Sequence, residues 1–294
     1  MTTQTPKKLR AGKARGSLLA KTFIYVILSL TVITIIYPIW WIVVGALNPS
    51  NGLYAASIIP KGLTLEHFIY LFTQTDYAIW FKNTLYIAVW NTIISTVLVI
   101  TAAYAMSRFR FKGRKYGLLT LMILQGFPSF MGMIAMFTLL QQLTWFGPHG
   151  LLNSLWGLII IYAGGSIPFN VWMIKGYFDS LPKSLEEAAK IDGASNTKIF
   201  FKVMLPLAKP MIAFVAVTHF IGPWMDYIFP SIVLTTSNKF TLAMGLYSMV
   251  TGEQNTQFST FAAGAVLVAL PISILFLLFQ KQMTEGLTAG ANKG

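Results

Sequence analysis

Six apolar runs alternate with short polar segments along the chain, at residues 22–47, 84–106, 116–141, 151–174, 208–234 and 258–280. Each is near the ~20 residues that carry a helix across a bilayer. The pattern predicts an all-α membrane protein with six transmembrane helices. Several runs contain helix breakers: Pro38 in the first, Gly126-Phe127-Pro128 in the third, Gly164-Gly165 and Pro168 in the fourth, Pro223 and Pro230 in the fifth. Any one of them reads most simply as a kink, because neighbouring helices or a cavity can satisfy the freed carbonyls. Their accumulation in spans three to five points to a bundle with an internal path. Trp40-Trp41 and Trp145-Phe146 fall near the outer ends of their spans, where aromatic rings anchor a helix in the interface. The longest outer segment, 48–83, contains Leu63 to Phe72, which predicts a short helix lying on the membrane or against a partner.

Composition agrees with this division. The chain has 294 residues, 55% hydrophobic and 11% charged, which is too apolar for an ordinary soluble domain. A net charge of +13 invites a nucleic-acid reading, but the charges cluster between the apolar runs and mark the cytoplasmic loops instead. Lys7, Lys8, Arg10, Lys13, Arg15 and Lys21 precede the first span, Arg108 to Lys115 follow the second, and six lysines from Lys175 to Lys209 follow the fourth. With Lys281 and Lys293, 19 of the 22 basic residues lie on one side; Lys61, Lys82 and Lys239 lie on the other. An even number of spans then places both termini in the cytoplasm. The basic N-terminus resembles a signal peptide in charge, but the run that follows is too long for one, and the reading is an uncleaved first span. The organisation is a basic tail at 1–21, a six-span body at 22–280 and a short tail at 281–294.

Catalytic chemistry is hard to find. There is no cysteine, so thiolate ligands, disulfides and cysteine nucleophiles are excluded. Gly12-Lys13 is followed by Ala14 and lacks the glycine-rich cradle of a P-loop. His67, His149 and His219 have no metal-ligand spacing, and no Gly-x-Ser-x-Gly elbow occurs. The expectation is that the chain is not an enzyme and binds no cofactor. Asp226 is the one acidic residue deep in an apolar run. An intramembrane carboxylate is costly and has a partner or a function. The two readings are a bond to freed backbone or a polar group on another span, and a proton-coupling site.

The most polar segment inside the body runs from Asp179 to Pro206. Ser184 and Glu187 fit a capping box, and Leu185, Ala188, Ala189 and Ile191 fall near helical spacing. Gly193 suits the left-handed C′ position that ends a helix. Ser195 is placed to cap a second helix through Met204, carrying Ile199, Phe200 and Val203, with Pro206 ending it. The segment therefore predicts two short helices joined by a glycine corner.

This segment resembles the EAA loop of ABC-importer permeases, here at 176–206. The family's pattern is E-A-A, three residues, G, nine residues, I, one residue, L-P; Glu187-Ala188-Ala189, Gly193, Val203 and Leu205-Pro206 occupy its slots, with Val for Ile the one departure. Further along, Thr241 to Gly245, Phe261 to Ala265 and Ala269 to Ile272 are similar to the last loop and span of maltose-type sugar permeases, and the tail Glu285 to Gly290 to the MalG-like subunits of maltose/maltodextrin importers in particular.

The resemblance implies a type I ABC-importer permease fold and a translocation path for maltose or maltodextrin. It implies as partners a sister permease, two ATP-binding subunits that hold ATP and Mg, and an extracellular solute-binding protein. It implies a multi-pass place among the lipids of the bacterial inner membrane, with no nucleic-acid partner. Glu187, Ala188, Ala189, Gly193, Leu205 and Pro206 become the expected contact with the ATPase. Gly286, Leu287, Thr288, Ala289 and Gly290 become a second contact with it, and Gly252, Glu253, Gln254 and Asn255 a contact with the binding protein. The substrate residues stay unassigned. The alternatives are a permease for another sugar or glycoside, and an ion-coupled secondary transporter built around Asp226.

Overall fold

A computed structural model describes residues 7–50, 62–147, 149–251 and 257–291, except the side chains of 7–19, 129, 146 and 284–291. Among the described residues the chain is helical, with no strand. Four helices are long and apolar enough to cross a membrane in one piece. They lie within α1 (Lys7–Leu47), α3 (Tyr77–Arg108), α6 (Leu155–Ser180) and α13 (Phe258–Ala291), and correspond to spans one, two, four and six of the sequence reading. Pro38, Pro168 and Pro271 sit inside these helices without interrupting them.

Spans three and five are broken, where the sequence pattern predicts continuous runs. The third divides into α4 (Arg114–Leu124) and α5 (Met133–Gln142), separated by Gln125 to Pro128 and a 3-10 turn at Ser129–Gly132. Pro128 lacks an N–H, and glycine at 126 costs a helix about 1 kcal/mol, so the break falls where propensity is weakest. The fifth consists of α10 (Lys209–Met225) and α11 (Ile228–Val233). Asp226 between them is extended, with φ −87° and ψ 119°. One of its carboxylate oxygens accepts the Phe229 N–H at 3.3 Å and the other accepts the Tyr162 hydroxyl at 2.7 Å. The intramembrane carboxylate thus caps the half-helix that follows it and binds a neighbouring span, as the first of its two readings expects.

α3 is the central helix. Its buried residues, from Tyr77 and Trp80 through Ile87, Asn91, Ser95 and Val99 to Tyr104 and Ser107, recur every three or four positions along its full length. That spacing is a single stripe on a 3.6-residue helix. α6 and α10 pack along it. α12 (Leu242–Thr251) crosses its outer half, where Gly245 lies so close that a Cβ would meet the Trp80 ring at 2.0 Å. Only glycine permits that approach. α2 (Glu66–Gln74) is the short outer helix. It folds onto its own chain: His67 and Leu71 are buried, and the His67 imidazole donates to the Asn48 carbonyl at 2.8 Å. Among its described side chains α1 packs at its C-terminal end, where Val44 and Ala46 are buried and the Trp41 ring meets Phe258 at 5.2 Å. Its residues 20–40 are exposed.

Candidate functional site

The segment after α6 folds as two short helical pieces around a corner, as its sequence predicts. α7 spans Ser184–Ile191. Gly193 is left-handed at φ +77°. The Gly193 N–H donates to the Lys190 carbonyl at 3.0 Å and the Ala194 N–H to the Ala189 carbonyl at 2.9 Å, a Schellman ending. Ser195 caps α8 (Asn196–Ile199) by accepting the Lys198 N–H at 3.3 Å.

Two details differ from expectation. The capping box of Ser184 with Glu187 does not form, because the helix starts one residue earlier. Its first N–H groups, on Leu185, Glu186 and Glu187, already reach the carbonyls of Pro182 and Lys183. Nor does Pro206 end the second helix. A π turn at Phe200–Met204 leads into α9 (Leu205–Leu207), with Pro206 inside it. The wide turn precedes the residue that lacks an N–H, so the ring is accommodated without a clash. The chain bends 75° between Leu207 and Lys209 instead.

α7 has two faces. Glu186 points inward, buried, and pairs with Arg108 at the C-terminal end of α3. The Arg108 guanidinium also donates to the Ser107 hydroxyl at 3.1 Å and to the Leu181 carbonyl at 3.3 Å. Ser107 in turn donates to Asp179 at 2.6 Å, and Asp179 accepts from Lys175 one turn earlier on α6. The ends of α3 and α6 and the start of α7 are therefore clamped by one charged network. Ser107, Arg108, Asp179 and Glu186 line a crevice of about 380 Å³. Glu187, at the rim of the crevice, is exposed; away from it, Ala188 is exposed, Leu185 is 42% exposed and Ile191 87% exposed. An isoleucine so exposed on a charged helix is an apolar surface without a partner among the described residues.

The second half of the segment is anchored differently. Ile199, Met204 and Ala208 are buried with Tyr104, Phe178 and Val215. The Tyr104 and Phe200 rings lie 4.8 Å apart, and the Tyr177 hydroxyl donates to the Leu207 carbonyl at 2.8 Å. Ala189 and Leu205 are half-buried and Pro206 is exposed. The predicted residues are thus brought together, with Glu187, Ala188 and Gly193 outward and Ala189 and Leu205 against the body. Sequence reasoning missed Glu186 and Arg108. Lys175 and Asp179, four residues apart on one helix, were the available signal for part of the network.

The tail residues Gly286 to Gly290 continue α13 as helix, which runs to Ala291. Gly252, Glu253, Gln254 and Asn255 lie outside the described residues.

Broken spans around a central helix, with a clamped two-helix polar element between spans, define a permease of the ABC-importer type. A bacterial ABC transporter involved in the import of the acidic polysaccharide alginate shares the fold, with a TM-score of 0.73 at 23% identity over 95% of this chain and 99% of that one. The chain belongs to the family of binding-protein-dependent transport system inner membrane components, whose pattern matches residues 95–287. It is 44% identical to the galactooligosaccharides transport system permease protein GanQ of Bacillus subtilis, over 92% of this chain and 95% of that protein. It is 39% identical to the maltodextrin transport system permease protein MdxG of the same organism, over 97% and 100%. With the maltose/maltodextrin transport system permease protein MalG of Escherichia coli it shares 36%, over 94% and 97%. The chain is accordingly a multi-pass inner-membrane component.

Proposed function

We propose that this chain forms, with a sister permease, the path of an ATP-driven importer of neutral oligosaccharides, maltodextrin foremost, and that α7 and its glycine corner dock into an ATP-binding subunit. The observation that carries the proposal is the two-sided α7. Its inner face is tied to α3 by Arg108 and Glu186, and α3 to α6 by Ser107 and Asp179, while Leu185, Ala188 and Ile191 stand exposed. A rigid element with a free apolar face transmits a push to the spans it is clamped to. The chain needs no nucleotide site of its own on this reading, since hydrolysis belongs to the partner. Galactooligosaccharide is the second reading, favoured by the 44% identity to a permease named for it.

The test is reconstitution in vesicles with the sister permease, two ATP-binding subunits and the solute-binding protein. ATP turnover should rise when the binding protein carries the transported sugar, and labelled maltodextrin should accumulate. Turnover that ignores the binding protein, with no sugar accumulated, would refute the reading.

The charge distribution orients the chain with both termini and the loops at 107–115 and 175–207 in the cytoplasm. Cysteines at Gly113 and Gly252 should label from opposite sides of sealed vesicles; same-side labelling would overturn the six-span model. The segment Gly252 to Asn255 then faces the binding protein, and the end of α13 reaches the ATP-binding subunits. Removing Thr284–Gly294 is expected to lower ATP turnover or its response to sugar several-fold, with the complex still assembled. Unchanged turnover and response would leave the tail without that role.

A further inference from the structure

A second polar site lies inside the transmembrane body. An open cavity of about 480 Å³ is bordered by α3, α5, α6, α10 and α11 and lined by Asn91, Tyr162, Ser166, Thr218, His219 and Asp226, among others. That volume is within the ~300–1,000 Å³ of small-molecule sites. Asn91 is near the middle of the 32-residue α3, so the cavity reaches well into the membrane. Asp226 stands where the fifth span is broken, and broken spans at depth are where transport proteins place polar cargo.

The lining has unused hydrogen-bonding capacity. Asp226 accepts one bond at each oxygen, from Tyr162 and Phe229, and a carboxylate has about four acceptor positions. The Asn91 amide nitrogen donates to the His219 carbonyl at 2.8 Å and has a second N–H. Ser166 and Thr218 spend their protons on backbone carbonyls and keep their acceptor positions. The buried His219 Nε2 has no partner among the described residues. Met133, Met136 and Ile161 supply apolar walls. No lysine or arginine is among the lining residues.

Two glycines carry the argument further. Gly165 on α6 and Gly222 on α10 both line the cavity. A Cβ on either would meet no atom within 4 Å, so packing does not require glycine there. Glycine inside a helix costs about 1 kcal/mol relative to alanine. What their small size provides is the empty volume itself. Polar groups of both senses, apolar walls and no opposing charge suit a ligand with many hydroxyls and apolar C–H faces.

We propose that this cavity binds a ring of the transported oligosaccharide, so that this chain contributes substrate contacts of its own. The proposal rests on the importer reading above. A diazirine-bearing maltodextrin, and in parallel a diazirine-bearing galactooligosaccharide, would be photolysed in the complete reconstituted complex during turnover. One of them is expected to label this chain in peptides containing 133–136, 161–166 or 218–229. Excess unlabelled sugar and Gly222→Leu should each reduce that labelling at least tenfold. Assembly of Gly222→Leu is checked by its co-purification with the sister permease. Gly165→Leu, which fills the cavity from the opposite helix, replaces it should that variant not assemble. Labelling confined to the sister permease and binding protein, or labelling of this chain that Gly222→Leu leaves unchanged, would overturn the proposal while leaving the importer reading intact. A wild-type complex that takes up neither sugar would instead strike the importer reading.

Discussion

Arg108→Ala is expected to be among the most disruptive single changes outside the apolar core. The Arg108 and Glu186 side chains are only 7% and 9% exposed. Removing the guanidinium leaves a buried carboxylate without its counter-charge, which costs roughly 3–5 kcal/mol in comparable sites. Glu186→Ala leaves the reverse problem and should cost a similar amount. Removing both at once is cheaper than either single change predicts, because no charge is then left buried; Arg108→Met with Glu186→Met should recover much of the loss. Glu187→Ala, one residue along on the exposed face, should move stability by less than about 0.5 kcal/mol. Thermal unfolding of the detergent-solubilised permease would read all four. If Arg108→Ala melts with the wild type, the clamp between α3 and α7 is not what holds the element in place.

The second large effect concerns coupling rather than folding. Gly193→Val should leave the transmembrane body assembled, yet lower sugar uptake at least tenfold. At φ +77° a side chain is strained by about 1–2 kcal/mol. A Cβ there would meet no atom within 4 Å, so the cost is confined to the backbone. The corner relaxes and α7 changes its angle to α8, while the buried anchors Ile199, Met204 and Ala208 stay in place. Ala188→Trp acts on the opposite property. It adds bulk to an exposed position, so it should spare the permease and obstruct a partner surface. Both variants are expected to co-purify with the sister permease and to lose the ATP-binding subunits, or to hydrolyse ATP without importing sugar. Wild-type uptake in both would remove the docking role from α7. An aggregated permease in both would show that the segment merely completes the fold.

The sequence alone determined the membrane class, the approximate places of the spans and the site of the two-helix polar element. Each depends on a local property: the length of an apolar run, the clustering of polar residues between runs, the need for glycine where the chain turns left-handed. Gly193 and Ser195 act as their residue types dictate. Only the tertiary structure decided which acid is clamped. Glu186 and Glu187 are adjacent and chemically near-equal, and the winding of α7 turns one toward Arg108, 78 residues earlier in the chain, and the other to solvent. The helix start followed the same logic, since Pro182 and Lys183 reached the first N–H groups before Ser184 was needed. Breaks in spans three and five were announced by glycine and proline, yet Pro38, Pro168 and Pro271 sit in unbroken helices. A proline interrupts a span only where neighbouring groups or a cavity take up the freed backbone, and those groups come from other helices. The membrane cavity is the extreme case. Asn91, Tyr162, Gly222 and Asp226 lie on three spans and the break within one of them, and no local pattern places them together before α3, α6 and α10 have packed.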